Sequence, residues 1–352
     1  MIKMDPKVFA LVISGKVDDL KIALQHAIEL EHATMPPYLY ARFSLARDNR
    51  DISGVLRRIV LQEMLHMLLA GNLLKAIGGS PVIDRKEFVP DYPTHLPGTV
   101  AKALVVPLKP FSRPLVQQIF MRIEQPEHLL NFKAVALSVG EPPAATIGEF
   151  YRRIRRIFKK EGDGIIKDKT GATQPSTTLF SEKQIITSAA EAMAAIDVIV
   201  EQGEGTETDP FFPAGTDVPD KDRLAHYYRF AELVKGQLKR KPDAPPNPLP
   251  EEKYIYDSKD PVPFNETQVL RLPNNPKTAH YPEGSNARSL SNDFNRLYTQ
   301  VLKLLHQAFN GSPGRLGDAI NLMTDLSMAG RTLTDVDLGN GMHAGPTFEY
   351  LP

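Results

Sequence analysis

Cysteine is absent from the 352 residues. Disulfides, zinc–thiolate sites, iron–sulfur clusters and cysteine nucleophiles are therefore excluded. Any metal has to be held by histidine and carboxylate, a donor set that suits iron, manganese or zinc. The lack of thiols agrees with a reducing compartment. Net charge is absent too, because 42 Lys and Arg balance 42 Asp and Glu. A neutral chain has no global field to draw it to nucleic acid or an anionic membrane. No uncharged run of about 18 apolar residues occurs, so no transmembrane helix is expected. The opening MIKMDPKVFALVISGKVDD is broken by Lys7 and Lys16 and has no signal-peptide cleavage pattern. The expectation is a cytoplasmic protein with neither a nucleic-acid nor a membrane partner.

Proline, by contrast, is plentiful. Its 30 residues cluster in PDYPTHLPG, KRKPDAPPNPLPEEK and LPNNPKTAHYPEG, which reads as long loops wrapped around a helical core. Residues 18–46 form an amphipathic stripe of Leu20, Leu24, Ala27, Glu31, Met35 and Tyr38. Pro36 and Pro37 fall inside it and predict a kink or bulge. Residues 53–77 give the clearest helix, with Ser53 as candidate N-cap and Gly78–Gly79 as the stop. The short link between the two predicts antiparallel neighbours. Further helices are expected over 114–123, 146–160, 183–202, 219–238, 290–309 and 313–330. Thr146 and Glu149 stand in capping-box spacing. The arginines and lysines of 152–160 read as a solvated helix face.

Two of these stripes carry charges on their oily side. Glu31 lies on the apolar face of the first helix; Glu63 and His66, spaced i, i+3, lie on that of the second. A lone buried carboxylate is costly unless it is paired or binds a metal. Side chains at i and i+3 project from one side of a helix. Glu on one helix plus Glu-x-x-His on its neighbour is half of a ferritin-like dimetal site. His226 supplies the best histidine for the other half, with Glu201 or Glu204 as its carboxylate. Asp222 could orient the imidazole, while Glu124 and Glu149 are remoter ligand candidates. Tyr38, Tyr227 and Tyr228 flank the site and read as core. The competing reading makes His66 a hydrogen-bonded core histidine and Glu63 a partner of Arg57 or Arg58. No serine–histidine–acid arrangement can be placed, so a hydrolase triad is unsupported.

Several segments, taken together, carry a family resemblance: AIELEHATMPPYLYARFSL, LQEMLHMLLAGNLLKAIGGSP, VPDYPTHLPG, FMRIEQPE, TIGEFY, IVEQGEGTE, LAHYYRF and AGPTFEY. From about residue 18 to 350 the chain resembles the ferritin-like domain of iminophenyl-pyruvate dimer synthases, proteins of violacein and indolocarbazole biosynthesis. The resemblance implies a bundle binding one or two non-haem ions, iron first and manganese or zinc as alternatives. By position the ligands would be Glu31, Glu63, His66, Glu201 or Glu204, and His226. The implied reaction is oxidative coupling of two 2-imino acids derived from an aromatic amino acid.

The expected architecture is an all-α ferritin-like four-helix bundle over residues 1–240, with a loop-rich insertion at 80–182. A Pro-rich linker and a helical extension packed on the bundle fill 241–352. The expected function is that of a metal-dependent oxidoreductase with a small-molecule substrate, as a monomer or homo-oligomer. Metal storage by ferroxidase action and a purely structural metal are the alternatives. Storage ranks lower because the extra segments would obstruct a cage; an open coordination position would favour catalysis over a staple.

Overall fold

A computed structural model describes residues 6–46, 49–97, 104–126, 147–206, 209–211, 223–235, 237–240, 254–257, 262–339 and 341–352. The framework is an antiparallel hairpin of two long helices, α2 (Val17–Phe43) and α3 (Arg50–Ala76), preceded by α1 (Pro6–Ser14). Asp18 and Asp19 in the first turn of α2 and Arg42 in its last suit the helix dipole. Pro36 and Pro37 leave α2 continuous. Pro37 cannot donate to the carbonyl of Ala33, and the Tyr92 hydroxyl donates to that carbonyl instead, at 2.6 Å.

Helix α3 starts at Arg50, three residues before the expected cap. Asn49 precedes it, and its amide is spent elsewhere: it donates to the carbonyls of Asn265 and Gln268 and accepts from the Asn265 N–H. This lashes the head of α3 to the C-terminal extension. Gly78, at φ +76°, turns the chain after α3, as the Gly78–Gly79 stop predicts.

A short helix, α4, follows; it runs over Arg113–Leu115, widens into a π turn at Val116–Phe120 and closes with Met121–Ile123. Next come α5 (Ile147–Glu161), α6 (Ala189–Glu204) and α7 (His226–Lys235). Helix α6 begins at Ala189 rather than 183, because Ser188 accepts the Glu191 N–H as an N-cap. The arginines of α5 bind Glu149 from within the helix and, from α6, Asp197 and Glu204. Thr146 of the expected capping box and Asp222 lie outside the described residues.

The C-terminal part is a second helical hairpin, α8 (Asn286–Phe309) and α9 (Arg315–Thr334), capped at its start by Ser285. It packs on the α2–α3 hairpin: the Phe309 ring lies over Gly71 and the Phe43 ring against Gly330. Two small antiparallel ladders complete the described structure, β1 (Gln237–Arg240) with β2 (Tyr254–Asp257), and β3 (Asp337–Gly339) with β4 (Met342–His343). One apolar core runs from Val8 to Phe348 through both hairpins. Among the described residues, no helix is long and apolar enough to cross a membrane.

Candidate metal centre

Helices α2, α3, α4 and α7 converge on a cluster of three carboxylates and two imidazoles. Glu31, Glu63, His66 and His226 are 5%, 2%, 2% and 0% exposed. Glu124, just past α4, joins them half-buried. Ligand-capable atoms of Glu31, Glu63 and His66 lie within 4.8 Å of one another, as do those of Glu63, Glu124 and His226.

The cluster has two like halves that share Glu63. In one half, the Nδ1 of His66 stands 3.6 Å from Oε2 of Glu31 and 3.7 Å from Oε2 of Glu63. In the other, the Nδ1 of His226 stands 3.5 Å from Oε2 of Glu124 and 2.9 Å from Oε1 of Glu63. Each outer carboxylate accepts a tyrosine hydroxyl on its far oxygen: Tyr151 donates to Oε1 of Glu31 at 2.5 Å, and Tyr38 to Oε1 of Glu124 at 2.6 Å. Each imidazole meets a glutamine through Nε2: His66 the Oε1 of Gln202 at 3.0 Å, His226 the Oε1 of Gln62 at 3.1 Å. The imidazole planes are 29° apart with centroids at 5.5 Å.

These outer contacts set the chemistry of the inner atoms. Gln202 donates its amide N–H to Glu182 at 2.8 Å, which turns its oxygen toward His66. An amide oxygen only accepts, so Nε2 of His66 carries a proton and a neutral ring leaves the Nδ1 lone pair facing the carboxylates. The Gln62 oxygen does the same for His226. Fixing the far nitrogen in this way is how a protein orients an imidazole ligand.

The electrostatics describe a site short of positive charge. Burial, joined by the charge of Glu63, pushes the Glu31 carboxyl up to about 7. Burial and Glu63 also raise Glu124. Burial works against the charge of Glu63 as well, but His226 and His66 outweigh it and hold this carboxyl well below the usual range. Burial opposes protonation of both histidines, while the surrounding carboxylates raise them. Burial, then the neighbouring carboxylates, keep the Tyr38 and Tyr151 hydroxyls protonated.

The residues fit a metal ion by two tests. Oε1 of Glu63 and Nδ1 of His226 are buried and 2.9 Å apart, yet neither makes a hydrogen bond of acceptable geometry. A buried carboxylate oxygen and a buried imidazole nitrogen that face each other outside hydrogen-bond geometry are a pair that a cation would satisfy. The donor set of carboxylate oxygens and imidazole nitrogens is also one that iron, manganese and zinc accept.

Of the residues expected from sequence, the structure gathers Glu31, Glu63, His66 and His226. Glu201 and Glu204 stand outside both ligand groups. Helix α6 turns Gln202 toward His66, and one residue of rotation, about 100°, carries Glu201 away. Glu201 is half-buried beside Asp197 and Arg155. Glu204 borders the centre, but its carboxylate is 3.8 Å from the Arg152 guanidinium and seated over Gly148. Glu124, a remoter candidate from sequence, stands in the second ligand group. The stripe Val116, Phe120, Ile123, all buried, carries on into Glu124, and this continuation is the signal that raises it above a remote candidate. Asn72 and Gln184, also buried, tie α3 to the chain before α6 and are structural.

A family model described as ferritin-like matches residues 24–235. The chain belongs to the ferritin-like family. This ferritin-like chain is 26% identical over 402 residues to dichlorochromopyrrolate synthase of Lentzea aerocolonigenes; the match covers 94% of the chain and 36% of that protein. The chain thus spans little more than a third of the length of the curated relative. The crystal structure of a ferritin-like protein from Caulobacter vibrioides at 1.95 Å resolution aligns with a TM-score of 0.59 at 21% identity, covering 94% of this chain and 97% of that one. It shows that the all-α ferritin-like fold expected from the sequence is the fold adopted.

Proposed function

We propose that Glu31, Glu63, His66, Glu124 and His226 hold one or two metal ions, iron first with manganese or zinc as alternatives. The protein is then a cytoplasmic oxidoreductase acting on a small organic substrate. Its finer form is oxidative coupling of two 2-imino acids from an aromatic amino acid. The observation that carries the reading is the pair of Nδ1 atoms, each backed by a glutamine on the far ring nitrogen and each facing the shared Glu63.

Bound ions would supply one-electron redox chemistry and a template for the reactants. The chain's own residues do the rest. Tyr38 and Tyr151 hold one oxygen of each outer carboxylate and leave the other free to face inward. Gln62 and Gln202 lock the histidine tautomers. Ile123, Ile147, Ile199 and Val200 surround the charged groups with apolar surface and limit water. A space of about 40 Å³ touches Glu31, Glu63, His66, Glu124 and Glu204. It is large enough for a molecule the size of water or dioxygen. An ion that only staples helices needs no such space, so the space supports catalysis over a structural metal. The likeness to dichlorochromopyrrolate synthase supports a biosynthetic oxidation.

The test is anaerobic loading with ferrous iron, followed by elemental analysis and absorbance on exposure to oxygen. Tryptophan with an amino-acid oxidase then generates the imino acid, and coupled product is sought by mass spectrometry. One or two ions per chain, an oxygen-dependent spectral change and a dimeric product are expected. A Glu63→Ala, His66→Ala double variant that keeps full metal stoichiometry refutes the ligand set. Bound iron with no response to oxygen refutes the oxidoreductase.

A further inference from the structure

A second cavity lies on the opposite side of the α2–α3 hairpin, between that hairpin and α8–α9. It encloses about 370 Å³ and shares no lining residue with the metal centre. Its size falls in the range of small-molecule sites and is well above the roughly 150 Å³ at which a dry apolar cavity already takes up a benzene-sized guest. Its walls run along α3 from Arg57 to Leu68, along α8 from Phe294 to Phe309 and along α9 from Leu316 to Ser327. At the α-helical rise these stretches are about 16 to 22 Å long, so the cavity is a slot, not a sphere. Met35, Met64, Met67 and Met323 line it, and unbranched thioether chains adapt to a flexible apolar guest.

One end of the slot is cationic. Arg42, from the last turn of α2, and Arg57, from the first turns of α3, both line it. Neither forms an ion pair with a described carboxylate. The Nε of Arg42 is buried with no hydrogen-bond partner. Burial, followed by repulsion from Arg331 and Arg57, lowers Arg42 to about 10. Arg331 cannot relieve this, because its guanidinium is committed to the carbonyls of Arg42, Phe43 and Leu45. Thr324 and Ser327 add hydroxyls to the lining from α9. Along α2 the lining runs back from Arg42 to His32, which is 3% exposed; its Nε2 is engaged by the Tyr298 hydroxyl at 2.7 Å while its Nδ1 has no hydrogen-bond partner.

We propose that this slot binds an elongated apolar monocarboxylate of the fatty-acid type. Its carboxylate pairs with Arg42 and Arg57, and its tail lies along the methionines toward Phe309 and Leu316. A guanidinium with an unspent donor is the group best matched to a carboxylate. The length and apolarity of the slot select a chain over a compact polar anion. This site is independent of the metal reading.

The experiment uses the full chain, stripped of lipid by hydrophobic resin, with calorimetric titration of dodecanoate below its micelle concentration. Dodecylamine of equal length and butyrate serve as comparators. Dodecanoate binds at one per chain, at least ten times tighter than either comparator. An R42Q, R57Q double variant weakens dodecanoate at least tenfold and narrows its margin over dodecylamine. A second variant, L316W, fills the far end of the slot, abolishes dodecanoate binding and keeps the wild-type circular-dichroism spectrum and cooperative thermal transition, which certifies its fold. Equal binding of dodecanoate and dodecylamine overturns the assignment of the charged end. No binding of dodecanoate by the stripped, folded chain, or undiminished binding by L316W, overturns the site.

Discussion

The glutamine behind His66 gives the sharpest test of the metal centre. Gln202→Leu keeps the volume and helix propensity at a buried position but removes the acceptor that holds the Nε2 proton of His66. The imidazole then has an unpaired donor against an apolar side chain. Leaving a buried donor unsatisfied costs about 1–3 kcal/mol, and loss of such outer contacts lowers metal affinity about 10- to 100-fold. The two figures agree, so the expected loss is about 10- to 100-fold. The assay is competition for zinc against a chelator of known affinity, with nitrogen NMR of the imidazole reporting the tautomer. The variant should bind zinc more weakly and show a mixture of His66 tautomers, and Gln62→Leu should act likewise through His226. If Gln202→Leu folds and binds zinc as the wild type does, then His66 is not a ligand through Nδ1 and the reasoning fails.

Three further outcomes are expected. Glu124→Gln should lower the bound metal per chain, whereas Glu201→Gln and Glu204→Gln should leave it unchanged; elemental analysis of the three side by side decides which carboxylate completes the second half. Gly71→Ala would set a methyl 2.4 Å from the Phe309 ring, and overpacking of this kind costs about 1–3 kcal/mol, visible as a lower melting temperature. Glu191, which accepts from Lys183, the Thr187 N–H and the Thr187 hydroxyl at the head of α6, is held down to about 2. A depressed carboxyl stabilises the fold above its unfolded value of about 4.3 and loses that contribution as pH falls toward 2. Glu191→Gln should therefore flatten the melting temperature between pH 5 and pH 2, within about those limits, relative to the wild type; an unchanged acid profile counts against the pairing.

Much of the helical frame is legible in the sequence because its helices are long and strongly patterned. The α2–α3 hairpin, the stop at Gly78 and the inward placement of Glu31, Glu63 and His66 all follow from three-to-four spacing. Glu124 was harder to see. It stands one residue past a helix three turns long, in a stretch dominated by loop signals, and only the distant Tyr38 hydroxyl and the imidazole of His226 give it meaning. Glu201 and Glu204 look attractive on paper because Glu-x-x-Glu repeats the spacing of Glu63 and His66. Spacing says that two side chains share a face but not which face meets the site, and in α6 it is Gln202 that reaches His66, with Glu204 at the border. The true start of α3 is hidden for a related reason. Asn49 is spent on a loop more than two hundred residues away, a contact that no local pattern encodes.

From Leu65 to Leu74 every residue of α3 is buried, because this helix is a party wall with tenants on both sides. A wall of that kind cannot swing like a door. Tilting it to widen one room would crush the other and drag Glu63 and His66 out of line with Glu31. Any motion that admits a guest must then come from the outer walls, α5 and α6 on the charged side and α8 and α9 on the oily one. Hydrogen exchange should find the slowest amides of the molecule along that shared partition.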